Sequence, residues 1–227
     1  MKRNLTTTLA LGALLLPFHL SAASETDKRL RAAANAFKDV MGIRDKAIPQ
    51  ELLNKAQCVV IVPDLKKAAF LVGGKYGKGF VSCRKPGGVG WTAPGAVRIE
   101  GGSFGFQIGG SEMDVFMLIM NERGMDRLLS TKFTLGGDAT VAAGPVGRST
   151  QAETDARMTA EILTWSRARG AFAGVALTGA TLRGDEDWNQ EMYGKPLENR
   201  EILTGTIAPT KSAAPLLAEL DRYSSRK

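Results

Sequence analysis

Glycine is the constraint that most narrows the fold. Of the 26 glycines, 22 lie between Gly73 and Gly184, many inside short apolar runs that otherwise read as strands. Glycine within a strand marks a bulge, a tight bend or the close approach of another backbone. So many in one stretch predict a strongly curved, mainly antiparallel sheet or a small barrel. The candidate strands are 58–62, 68–72, 79–84, 96–100, 104–109, 115–120, 139–143, 160–165 and 172–182, bounded by Gly and Pro turns. A helix over 122–130 interrupts them.

The flanks read as helices. Over 25–46, Leu30, Ala33, Ala34, Phe37, Val40 and Met41 recur at helical spacing. Lys28, Arg29, Arg31, Lys38, Arg44 and Lys46 supply much of the opposite, polar surface. Pro49 opens a short helix over 50–55, since Pro suits a first helical position. After Gly184 the chain turns helical again, most clearly over 212–223, where Leu216, Leu217 and Leu220 share a side. The glycine clusters keep no fixed period, which argues against a solenoid. The expected class is α+β: a Gly-rich curved sheet with an N-terminal amphipathic helix and C-terminal helices, in one domain over 24–227.

The first residues read as a secretory signal over 1–23. Met1-Lys2-Arg3 is followed by an apolar stretch from Leu9 to Leu20 and by Ser21-Ala22-Ala23. That stretch is short of the roughly 20 residues a bilayer span needs. Its removal leaves 28 basic and 23 acidic residues and takes away the sole histidine, His19. Ser–His and Cys–His pairs and His-ligated zinc are then excluded. The expected location is periplasmic or extracellular, peripheral to a membrane. Export would put Cys58 and Cys83 in an oxidising compartment. Two outcomes stay open: a disulfide if their strands are neighbours, or two separate buried thiols.

Several constellations bear on function. Lys66, Lys67, Lys75, Lys78, Arg84 and Lys85 crowd into 63–85, opposed only by Asp64. A hairpin there would bring them to one face, attractive to an anionic headgroup or polymer; the alternative is a solvated surface. The first helix could lie in a membrane interface or pack on the domain's own core. Asp185, Asp187, Asn189 and Glu191 alternate like the start of a calcium loop. Gln190 and Pro196 exclude a full EF-hand, leaving a simpler calcium site or a capping turn. Carboxylates for a glycosidase-like pair would come from Glu112, Asp114, Asp185 and Asp187. Ser82-Cys83-Arg84-Lys85 lacks the supporting elements of a Ser-x-x-Lys catalyst, and 73–78 lacks the spacing of a phosphate loop. No catalytic residue, cofactor, metal or nucleic-acid partner is expected.

A series of short strings resembles the SYLF domain family of lipid-binding proteins, in that family's order. They begin with Ile48-Pro49 and Lys55-Ala56, then Gly73-Gly74-x-Tyr76-Gly77-x-Gly79 and Trp91-Thr92-Ala93-Pro94. Gly102-x-x-Gly105-x-Gln107-Ile108-Gly109, Leu135-Gly136-Gly137-Asp138 and Ala142-Ala143-Gly144-Pro145-Val146-Gly147-Arg148 follow. The last are Ser166-Arg167-Ala168-Arg169-Gly170-Ala171-Phe172-Ala173-Gly174-Val175 and Tyr193-Gly194 before Ile202-Leu203-x-Gly205. Thr92, Met113-Asp114 and Ala171 depart from the commoner residues. The resemblance implies affinity for anionic phospholipid membranes without enzymatic activity. It points to an N-terminal amphipathic helix and nearby lysines: Lys28, Arg29, Arg31, Phe37 and Lys38, with Lys66, Lys67, Lys75, Lys78, Arg84 and Lys85. Intracellular members bind phosphoinositides; export would make those an unexpected ligand here. The other expectation is an envelope protein that binds a polymer or protein partner through its Gly-rich sheet.

Overall fold

The computed structural model describes residues 23–43, 47–70, 72–104, 109–146, 160–168, 170–175 and 177–224. The segment read as a signal lies outside them apart from Ala23, as do Arg44, Lys46 and part of the quoted motifs. The order is α1 (Glu25–Met41), α2 (Gln50–Lys55), β1 (Cys58–Phe70), β2 (Val72–Cys83), β3 (Gly95–Phe104), β4 (Gly109–Ile119), α3 (Glu122–Leu128), β5 (Lys132–Thr134) and β6 (Val141–Ala143). Then come β7 (Ile162–Ala168), β8 (Ala171–Gly174), β9 (Thr181–Gly184), α4 (Glu186–Tyr193), α5 (Asn199–Leu203) and α6 (Ala214–Ser224).

The strands form one sheet in the order β5-β9-β3-β2-β1-β4-β7-β6, with β8 also on β7. Every pairing is antiparallel except β6 with β7. The sheet curls into a half-barrel, so the open alternative of the two expected forms is the one adopted. The run read at 58–62 and the first part of the run read at 68–72 are one long strand, β1, which ends at Phe70; Val72 already opens β2. The run expected over 172–182 is instead two short strands, β8 and β9, with Thr178-Gly179 turning between them. The three-residue β5 is too short for periodicity to reveal.

The curl has a local cause. β1 carries one extra residue between Ile61 and Lys66 relative to β2, and between Val62 and Leu65 relative to β4. Asp64 sits in this bulge at φ 51°, and its N–H donates to Asp114 Oδ1 at 3.1 Å. Across from it, a Cβ on Gly79 would lie 2.1 Å from the Ile61 carbonyl oxygen. Only glycine admits that backbone contact.

Both faces of the sheet are buried along the half of β1 and β2 that carries Cys58 and Cys83. On the outer face α1 and α6 cover Val59, Ile61, Phe80, Phe116, Leu118 and Trp165 with Leu30, Phe37, Val40, Leu216 and Leu220. On the inner face Val60, Val62, Leu65, Val81, Ile99 and Met117 meet Phe133, Leu135 and Leu182 from the sheet's far edge. Cys58 and Cys83 stand opposite each other in β1 and β2 and form a disulfide. The hydrophobic stripe of α1 therefore packs on the domain itself. Phe37 and Val40 are fully buried, and the Phe37 ring meets Tyr223 edge-on with centroids 6.0 Å apart. Phe37→Ala should lower the unfolding free energy by about 3–5 kcal/mol, the usual cost of emptying a packed aromatic site. Urea denaturation measures this; a change under about 1 kcal/mol would show that α1 does not pack here.

Candidate functional site

Strand alternation decides where the basic run goes. Successive side chains point to opposite faces, so the hairpin does not gather its lysines on one face as expected. Lys66 and Lys78 lie on the outer face, while Lys67 and Lys75 lie on the inner one, directly opposite each other. The bulge sets this division. The extra residue at 63–64 puts Lys67 in register with Val60, Val62 and Leu65.

The lysines differ in environment. Lys78 Nζ lies 2.8 Å from Asp185 Oδ2, whose side chain is wholly buried, and 4.4 Å from the centre of the Trp188 ring. Arg98 adds a second cation 3.9 Å from the same carboxylate and pairs with Glu100 at 2.8 Å. Lys66 is exposed and reaches Glu112 only at 3.9 Å. Lys67 and Lys75 are half-buried and make no ion pair with a described residue. Burial, and then the adjacent Lys67 charge, lower the Lys75 pKa from its ordinary value. Like charges opposite each other on a ladder oppose folding, and among the described residues no carboxylate pairs with either lysine.

Of the other expected lipid contacts, Lys28, Arg31, Lys38 and Lys85 are exposed. Phe37 is not a surface residue: it lies in the outer core. Arg84 is buried too. It stacks over Trp91 at 3.9 Å and donates to the Leu53 carbonyl at 3.1 Å and to Ser224, tying the end of β2 to α2 and α6. A buried guanidinium demands such partners, which makes Arg84 structural here. Arg29 also holds the fold, donating to Pro63 O at 3.0 Å and pairing with Asp64 at 3.3 Å.

Of the two readings left open for 185–191, a simpler calcium site or a capping turn, the structure takes the capping turn. Asp185 caps α4 by accepting the Trp188 N–H at 3.2 Å. Asn189 is buried, accepting from Ala96 N at 2.7 Å and donating to Leu197 O and Asn199 Oδ1. Glu191 accepts from the Thr26 hydroxyl at 2.9 Å. Among the described residues no cluster of three or more His, Cys, Asp or Glu side chains could hold a metal ion. Of the four carboxylates considered for a glycosidase-like pair, Glu112 and Asp114 line one cleft with Asp64, Met113, Arg167 and Gly170. Asp185 is bound to Lys78 elsewhere.

Arg167, in the quoted Ser166–Val175 string, has a role that the sequence does not reveal. It bridges Asp114 on β4 (2.7 Å) and Asp39 on α1 (2.8 Å). Burial works against its charge, but the hydrogen bonds to Asp39 and Asp114 outweigh it and raise its pKa above the ordinary arginine value. Its partners stand 53 and 128 residues away, beyond any local pattern. Among the described residues no helix is long and apolar enough to cross a membrane.

Comparison with known proteins settles the ancestry of this arrangement. The family model described as "Ysc84: Las17-binding protein actin regulator" matches residues 100–223, from β3 through most of α6. The chain belongs to the Ysc84/SYLF family. It is 35% identical over 203 residues to SH3 domain-containing YSC84-like protein 1 of Xenopus laevis, covering 86% of this chain and 60% of that protein. The human protein of the same name is 34% identical over 183 residues, 80% of this chain and 53% of its own. LAS seventeen-binding protein 3 of Saccharomyces cerevisiae is 33% identical over 211 residues, 90% of this chain and 45% of that one. The chain thus spans about half the length of the curated relatives it matches. The SYLF resemblance is borne out.

The two kinds of ion pair in this family member predict different losses. Asp185→Ala strands Lys78 and Arg98 around an empty site and should cost about 3 kcal/mol, the lower end for breaking a buried pair. Glu112→Ala removes an exposed partner and should cost less than about 1 kcal/mol. Chemical denaturation of both variants measures the difference; equal losses would show that Asp185 is not buried among its cations.

Proposed function

We propose that this protein is a non-catalytic, peripheral binder of anionic membrane surfaces that engages phosphate headgroups electrostatically while α1 stays folded. The observation that carries the reading is the Lys67–Lys75 pair. Two half-buried ammonium groups face each other across a ladder with no carboxylate partner among the described residues, and a headgroup phosphate would relieve their repulsion. Lys66, on the other face of the same strand end, adds a third charge. Insertion of the α1 stripe is disfavoured in this reading. Lifting out residues such as Leu30, Phe37 and Val40 would expose core worth about 1.5–3 kcal/mol per large side chain. Near an anionic surface each lysine contributes about 1 kcal/mol, giving weak, reversible, salt-sensitive attachment. In this reading residues 1–23 are removed on export, and the membrane met is one facing the periplasm or the cell exterior.

A second reading, docking to a protein or polymer, has one observation in its favour. On the outer face the Tyr76 side chain is 48% exposed, beside Gly74 and Gly102, where a Cβ would meet no atom within 4 Å. The relatives' printed names, Las17-binding among them, make a protein partner for this chain a reasonable second proposal. Apolar docking on that exposed face would persist in high salt, whereas headgroup binding would not.

Co-sedimentation of residues 24–227 with vesicles tests the proposal. Binding is expected to vesicles containing phosphatidylglycerol or cardiolipin, to be absent with zwitterionic vesicles, and to fade by several hundred millimolar salt. Lys67→Ala with Lys75→Ala should weaken it by about 30-fold, two lysines at about 1 kcal/mol each. No sedimentation with anionic vesicles at micromolar protein, or undiminished binding by the double variant, would overturn it.

A further inference from the structure

Three sulfur atoms meet at the end of the sheet where β1 begins and β2 ends. Cys58 Sγ and Cys83 Sγ form the disulfide. Met125, on α3, places its Sδ 3.0 Å from Cys58 Sγ and 3.8 Å from Cys83 Sγ. Both cysteines are completely buried, while Met125 is partly exposed. The cluster lies among Ile119, Leu128 and Val81 on the inner face, apart from the lysine pair.

We propose that, once its disulfide is reduced, this cluster is a binding site for a soft monovalent cation, Cu(I), held by two thiolates and one thioether. Thiolate and thioether donors favour Cu(I) over the hard divalent ions, which prefer oxygen. The donors converge without the disulfide's help. The β1–β2 ladder continues past the cysteines through Val59 opposite Ser82, and the Arg84 N–H donates to the Gln57 carbonyl at 2.8 Å on the other side. Breaking the S–S bond therefore leaves Cys58 and Cys83 on opposed positions beneath Met125. Reduction needs two electrons and two protons, and a dithiol donor supplies both: it leaves as its own disulfide, and Cys58 and Cys83 become thiols. Cu(I) then displaces both thiol protons as it binds. The oxidised protein has only the thioether to offer, so the site opens and closes with the redox state of the disulfide. This inference is independent of membrane binding.

The test is a competition titration. The protein is reduced with a phosphine, desalted without oxygen and offered Cu(I) held by bicinchoninate, whose colour reports the metal it keeps. The reduced protein is expected to withdraw one equivalent and the untreated disulfide form none. Met125→Leu, a volume-conserving change, should weaken binding by about tenfold or more, the scale of losing a ligand-sphere interaction. Because two protons leave, affinity should rise by up to about 100-fold per pH unit below the thiol range near 8.5. X-ray absorption of the wild-type complex, which needs no variant, should show three sulfur neighbours. The proposal is overturned if the reduced protein competes no better than the oxidised form. It is equally overturned if Met125→Leu binds as tightly as wild type, if the metal has two sulfur neighbours or oxygen ligands, or if circular dichroism shows that reduction unfolds the chain.

Discussion

The contact between Gly79 and the backbone of β1 at Ile61 and Val62 is the constraint on which the rest of the structure depends. A side chain there would collide with main-chain atoms on the neighbouring strand, and main chain yields little without breaking the ladder. With glycine in place, β1 takes one extra residue and the sheet bends sharply at Pro63-Asp64. The bend lets the far edge, β5 and β9, bring Phe133, Leu135 and Leu182 over Val60, Val62 and Ile99. A flat sheet would leave that inner face in water. The same extra residue reverses which side chains point inward beyond the bulge, and so puts Lys67 opposite Lys75.

Charge placement follows from that geometry. Cations on the helix-bearing side find partners: Lys78 and Arg98 meet Asp185, Arg29 meets Asp64, and Arg167 holds Asp114 and Asp39. Four of these contacts bind α1 or α4 to the sheet, through carboxylates at the N-cap of α4, at the bulge and near the end of α1; the fifth, to Asp114, joins neighbouring strands. Lys67 and Lys75, on the inner face, stand opposite each other and pair with no carboxylate among the described residues. One basic run is thus treated unequally: some of its residues hold the molecule together, and others do not.

The local elements were legible. Amphipathic spacing located α1, and Pro49 located α2 residue for residue. Glycine inside apolar runs implies a curved sheet without reference to any strand pairing. The family was legible as well, because its strings mark places where backbone meets backbone or a turn needs a positive φ, as at Gly136 and Gly194. The candidate site was legible only as a list of cations. The sequence presents Arg84 and Lys85 as like neighbours, yet one is buried against Trp91 and Ser224 while the other stands in solvent. β2 ends at Cys83, so Arg84 is still held against Trp91 by an isolated bridge while Lys85 enters the turn, and no local pattern marks that end point. Phe37 shows the same limit. An apolar stripe reads alike whether it meets a bilayer or α6.

The sequence by itself determined the class of fold, the helices at both ends, the glycine-driven curvature and the family, since each is written in residue type and spacing along a single stretch of chain. Tertiary structure alone decided the disulfide, the burial of Phe37 and Arg84, the Asp185 and Arg167 ion pairs, the sulfur cluster at Met125 and the division of the lysines between two faces. Each of these brings together residues 25 to more than 100 positions apart or depends on a one-residue shift in strand register. Contacts of that kind are set by how the curled sheet closes, which local propensity does not encode.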